Sequence, residues 1–202
     1  MISEPVQTVA QRRNLLVLGL AGGIGIASLV VLLATLMLTG TAAAGSARTA
    51  RSAAVTADAC KEQTFPNLGQ AHTQNPNEKI KYNSFPPTSG KHLDTPARWG
   101  NYPTPVNQVQ AVHNLEHGGI VIQYGSKVSS GDIDRLMGYY DGDPNGILMA
   151  PLPALGSKIA ATAWQKLLTC SKFDKKALDT FKKKHRYKGP ERLPKDALEP
   201  GR

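Results

Sequence analysis

The run HNLEHGGIVIQY at residues 113–124 places His113, Glu116 and His117 within five residues. Side chains three and four apart share one face of a helix, with Cβ atoms about 5–6 Å apart. Two imidazoles so placed can converge on one metal ion or one substrate oxygen. Upstream, YNSFPPTSGKH at residues 82–92 delivers a third imidazole. Pro86 and Pro87 fix φ and exclude helix, Thr88, Ser89 and Gly90 supply a turn, and His92 follows on a stiff loop. His72, in GQAHTQNPN, is a candidate additional ligand with no evident anchor, and His185, in KKKHRYK, reads as solvated.

His92, His113 and His117 would supply three nitrogen ligands and leave a coordination position open, an arrangement suited to copper or zinc. Glu116 would then be the candidate catalytic base or a hydrogen-bond partner of a ligand, and Tyr82, Ser89, Trp99 and Tyr102 the candidate pocket residues. The competing reading makes the helix histidines buried, hydrogen-bonded packing groups. The string H-x-x-E-H also matches inverted zinc peptidases, with Glu116 as base and a later glutamate as third ligand. Glu191, 74 residues after His117, and Glu199 are the downstream glutamates. The chain is far smaller than those enzymes, however, and Gly118-Gly119 ends the helix early. Ser89 lacks the G-x-S-x-G elbow of a serine hydrolase, and Glu116 has no clear carboxylate mate for glycosidase chemistry.

The order Cys60, His72, Tyr82, PPTSGKH, WGNY, HNLEHGGIVIQY, TAW at residues 162–164 and YKGPE at residues 187–191 resembles the bacterial domain-of-unknown-function family 3105. The pair PPTSG-x-H and H-x-L-E-H-G is the specific part. The resemblance implies a small exported or membrane-anchored protein and brings no activity with it. TAW departs from the family pattern, in which Gly and Arg follow; Gln165 and Lys166 stand here, which weakens a role for that turn.

The elements that must position these residues read as follows. Lys79, Ile80, Lys81 and Tyr82 alternate as a short half-exposed strand, and residues 107–117 make a helix stopped by Gly118-Gly119. Residues 120–124 form a buried strand, 130–140 a helix with Ser130 as N-cap, and 147–150 another strand. Residues 158–168 carry a helical apolar stripe, but the family resemblance favours a strand through TAW. Residues 174–185 form a final amphipathic helix. The expected fold is α+β, a short mixed sheet with flanking helices, and a β-α-β-β-α order after His117 leaves a thioredoxin-like half-sheet open.

Residues 15–38 are an uncharged run of 24. As a helix it rises about 36 Å at about 1.5 Å per residue, enough for a hydrocarbon core of about 30 Å. It reads as a transmembrane helix between a cytoplasmic head at 1–14, with Arg12 and Arg13 against the span, and a flexible Ala/Thr/Ser/Gly tether at 39–57. The A-x-A pattern at Ala42 to Ala44 keeps a cleaved signal as the alternative. An extracytoplasmic domain at 58–191 and a loose tail at 192–202 complete the expected organisation.

Cys60 and Cys170, near the two ends of the domain, form a disulfide in an oxidising compartment, and no C-x-x-C suggests redox catalysis. Residues 165–202 hold twelve Lys or Arg against five Asp or Glu, a net of +7 out of +9. Such a basic face reads first as a solvated helix face, and it can also attract anionic lipid headgroups, cell-wall polymers or a protein partner; with no recognisable nucleic-acid module, nucleic acid is discounted. Three function classes follow: a membrane-anchored extracytoplasmic metal-binding protein, a small metal-dependent hydrolase, and a non-catalytic envelope-binding module.

Overall fold

A computed structural model describes residues 59–202. The expected head, span and tether lie outside the described residues, and among the described residues no helix is long and apolar enough to cross a membrane. The strands are β1 (Cys60–Thr64), β2 (His72–Thr73), β3 (His92–Leu93), β4 (Gly100–Asn101), β5 (Ile120–Tyr124), β6 (Ile147–Pro151), β7 (Ile159–Ala163) and β8 (Lys166–Cys170). The helices are α1 (Gln108–Glu116), α2 (Ser130–Gly142) and α3 (Lys175–His185). The expected α+β class with a mixed sheet and flanking helices is what the described residues form.

The main sheet runs β1-β8-β7-β5-β6-β4. β4, β5 and β6 are parallel, while β7, β8 and β1 add antiparallel pairs. Because side chains alternate across a strand, β5 serves two cores. Ile120 and Ile122 pack with Leu136 and Tyr140 of α2 and Leu178 and Phe181 of α3; Val121 packs with Val112 and Leu115 of α1, Trp99 and Trp164. The site-bearing helix is thus clamped on one sheet face, with the other two helices opposite.

Cys60 and Cys170 are bridged, at the register where β1 pairs β8. Residues 158–168 are the β7–β8 hairpin, and the five residues of β7 are all buried, which explains the apolar run that also resembled a helical stripe.

Several expectations are corrected. Residues 79–82 are not a strand: nothing pairs with them, and the Tyr82 hydroxyl donates to the Lys91 carbonyl at 2.8 Å. The N-cap of α2 is Ser129, whose Oγ accepts from Asp132 N–H at 3.2 Å. His185 is not solvated; its side chain is 10 % exposed and pairs with Glu62 at 2.9 Å. Residues 192–202 are not loose. Lys195–Leu198 is a 3₁₀ turn with Leu198 fully buried, Gly146 N–H donates to the Leu198 carbonyl at 2.8 Å, and Gly201 N–H to the Trp99 carbonyl at 2.8 Å.

Candidate metal centre

α1 begins where the Asn107 side chain accepts from Val109 N–H at 2.8 Å and ends at Gly118, whose φ of +83° turns the chain so that Gly119 N–H reaches back to the Asn114 carbonyl at 3.0 Å. One face of this helix carries His113, Glu116 and His117. His113 Nδ1 lies 2.6 Å from the Leu93 carbonyl, and Asn114, fully buried, bonds both backbone groups of Ala97 at 3.0 and 2.7 Å. These bonds fasten the chain after β3 to α1.

The anchor for His72 is a two-stranded parallel ladder. β2 pairs β3 with His72 opposite His92, and the ladder extends from Gly90 N–H on the Gly69 carbonyl to Asp94 N–H on the Thr73 carbonyl, at 3.1 Å each. Strand neighbours stand about 4.8 Å apart, so two loops that are remote in sequence present adjacent imidazoles. His72 and His92 ring centroids are 4.6 Å apart, and those of His92 and His113 5.0 Å.

Six side chains converge. His72, His92, His113 and Glu116 bring one ligand atom each to within 4.8 Å of one another, and His113, His117 and Glu191 form a second such group. Of the sequence-selected ligands, His92 and His113 share the first group with His72, whereas His117 shares the second with His113. Glu116 is 3 % exposed at its side chain. Its Oε2 lies 2.9 Å from His92 Nε2 and 3.3 Å from His72 Nε2, and its Oε1 accepts from Gln70 Nε2 at 2.9 Å.

The tautomers follow from the partners. A carbonyl only accepts, so Nδ1 carries the hydrogen both in His113, against Leu93, and in His92, whose Nδ1 is 2.7 Å from the Gly90 carbonyl. In the neutral rings both Nε2 lone pairs then point into the cluster. His92 Nε2 meets a carboxylate oxygen and His113 Nε2 meets His117 Nε2 at 3.0 Å. A neutral His117 with its hydrogen on Nε2 can donate to His113, whereas the contact between His92 Nε2 and the Glu116 carboxylate needs a proton or a metal ion between the two acceptors.

Burial pushes His113 and His117 below the ordinary histidine value, which favours the neutral, ligand-competent form. For Glu116, burial acts upward, but the Gln70 hydrogen bond and the neighbouring imidazoles outweigh it and the net direction is down. A carboxylate held in that direction is better suited to ligating or balancing a cation than to acting as a general base, which works best near the operating pH.

Glu191 is brought in by the KGPE strap. Its N–H donates to the Glu116 carbonyl at 3.0 Å, and Tyr187 N–H donates to the Gly118 carbonyl at 2.7 Å. A Cβ at Gly189 would overlap the Glu116 carbonyl, so this close approach requires glycine. A cleft of about 430 Å³ opens onto the group, lined by Gln70, His72, Glu116, Pro190 and Glu191.

The sequence-selected pocket residues take other positions. Ser89, fully buried, accepts from Leu68 N–H at 3.2 Å. The Tyr82 hydroxyl holds Lys91, the Tyr102 hydroxyl donates to the Arg98 carbonyl at 2.7 Å, and Trp99 lies in the core beneath Gly119. They brace the loops, and none lines the cleft. Trp164 was missed: its ring stands edge-on to His92 at 6.1 Å, while Gln165 N–H donates to the Thr88 carbonyl at 2.9 Å. The TAW turn, which the sequence left without a role, therefore packs against the PPTSG loop. Gln70 was missed too, since a glutamine in a polar loop carries no signal of its own; Glu191 was visible only through the peptidase-like string.

No curated protein and no solved structure matches the chain. Residues 72–197 match the family described as a protein of unknown function, DUF3105, a span that includes all six convergent side chains. With more than half of its length matched, the chain belongs to the DUF3105 family.

Proposed function

We propose that this chain is a membrane-anchored extracytoplasmic protein that binds one copper or zinc ion through His72, His92 and His113, with Glu116 as the anionic member of the set. The observation that carries the reading is the engagement of both buried imidazoles by backbone carbonyls, which leaves Nε2 as the free nitrogen of each in a group whose ligand atoms, the Glu116 carboxylate included, lie within 4.8 Å of one another. Histidines that ligate metals typically hold their other ring nitrogen in this way, because it fixes the tautomer and the ring orientation. Three imidazoles and a carboxylate without thiolate or thioether suit Zn²⁺ or Cu²⁺ better than Cu⁺.

Elemental analysis of the full chain purified without a histidine tag, followed by copper and zinc titration, tests this. One ion per chain is expected, with binding lost in His92→Ala/His113→Ala. Equal weak binding by both proteins would leave the cluster as proton-bridged packing. A metal-dependent hydrolase is the second reading, favoured by the cleft at the cluster; turnover of ester or peptide probes by the metal-loaded chain would distinguish it.

The location rests on residues 15–38 and agrees with the Cys60–Cys170 bridge, since disulfides persist in oxidising compartments. The span is expected to hold the protein in the membrane fraction and to leave the domain open to protease added from outside. Full protection of the domain in sealed, right-side-out vesicles would contradict the orientation.

A further inference from the structure

Glu191 and His117 stand at the mouth of the cluster, and the metal-binding reading leaves both without a task. Along the line Glu191, His117, His113, exposure falls steeply: the Glu191 side chain is 52 % exposed, that of His117 is 12 %, and His113 is buried at 6 %. Successive ligand atoms are 3.0 Å apart at each step, Glu191 Oε2 to His117 Nε2 and His117 Nε2 to His113 Nε2. The set is built rather than incidental, because the backbone of Glu191 is bonded to Glu116 and the strap passes where only a glycine fits.

We propose that Glu191, His117 and His113 form an outer capture position for a divalent transition-metal ion, from which the ion passes to the buried position at His72, His92, His113 and Glu116. The inference rests on the metal-binding reading above and adds to it a direction of movement. His113 decides the mechanism. Its Nδ1 is occupied by the Leu93 carbonyl, so it has one free nitrogen and belongs to both ligand groups. It can bind in one position or the other but not in both, and the two positions therefore exchange a single ion. His113 swaps partners, so the ion keeps one imidazole throughout and does not have to return to water between the positions.

Electrostatics favour capture at this rim. The two carboxylates that line the cleft, Glu116 and Glu191, are beside the imidazoles, while the basic excess of the chain lies on α3 and its flanks. A cleft lined by one sign of charge raises the local concentration of the opposite ion. An exposed carboxylate with a half-formed ligand set is also an easier place to exchange water or a donor's ligand than a fully enclosed set.

A way-station speeds uptake and release together and leaves the overall equilibrium nearly unchanged. The test uses zinc ions alone with the full chain in detergent, following uptake by stopped flow and release to a competing chelator. Glu191→Gln is expected to slow both rates about tenfold, the lower end of what losing a supporting group costs at a metal site, while one ion per chain still binds with affinity within about threefold of wild type. Glu191→Ala should behave in the same way. Unchanged rates in both variants would overturn the proposal. So would a loss of affinity carried by release alone, since Glu191 would then belong to the final position, and so would two ions per chain. Absence of zinc binding in the wild type would instead refute the metal-binding reading itself.

Discussion

Replacing His113 by Asn is expected to weaken copper or zinc binding by about two orders of magnitude or more, while leaving the fold close to wild type in stability. Four-ligand structural zinc sites in peptides bind with about 10–16 kcal/mol, so one ligand is worth about 3 kcal/mol, or about a hundredfold in Kd. His113 should carry at least that share because its Nδ1 is already held by the Leu93 carbonyl, so its ring is oriented before the ion arrives. Asn separates ligation from packing, as its side-chain amide can still donate to the Leu93 carbonyl, the role of Nδ1 in the wild type, yet it offers no nitrogen where Nε2 stood. His113→Ala removes both and should additionally lose about 1 kcal/mol of stability for the unpaired buried carbonyl. His72→Ala, at a side chain 45 % exposed, should weaken binding less. Isothermal titration beside thermal melts of the three variants decides the matter. Wild-type affinity in His113→Asn would show that its ring packs rather than ligates. Protons compete for the same lone pairs, so occupancy falls with falling pH. Because burial holds His113 and His117 down, that loss should set in below the ordinary histidine range of about 6.5.

Removing the disulfide is expected to cost about 4 kcal/mol and lower Tm by about 10 °C. The bridge spans 110 positions, and closing a loop of that size removes much of the freedom of the unfolded chain. In the folded state it fixes β1, an edge strand whose one neighbour is β8. β1 also presents Glu62 to Lys184 and His185 at the end of α3, at 2.7 and 2.9 Å, so its fraying would loosen the basic helix as well. Cys60→Ala/Cys170→Ala compared with oxidised and reduced wild type, by calorimetry, measures the effect. A Tm within about 2 °C of the oxidised protein would mean that β1 is held by its ladder alone. The candidate metal site lies at β3 and α1, and any metal affinity should be unchanged in the variant.

What the sequence alone determined is what depends on near neighbours along the chain. The helical period put His113, Glu116 and His117 on one face, and Gly118 ended the helix there as φ > 0 demanded. The short apolar run set out the buried strand at 120–124, and two cysteines in a chain read as exported left one intramolecular pairing. Tertiary structure alone decided which imidazoles meet. β2 and β3 are two residues each, too short for any hydrophobic alternation, and the register placing His72 beside His92 comes from loops laid against each other by packing on α1. The arrival of Glu191 depends on a strap returning 70 residues after the helix and on a glycine that lets it touch the Glu116 carbonyl. The tail likewise looked loose by composition, yet Leu198 is fully buried against the sheet. Helical spacing and caps act within a turn or two of the chain and leave their pattern in the local sequence. Ladder register and strap closure are set by where distant segments find apolar surface to cover, which no local pattern records.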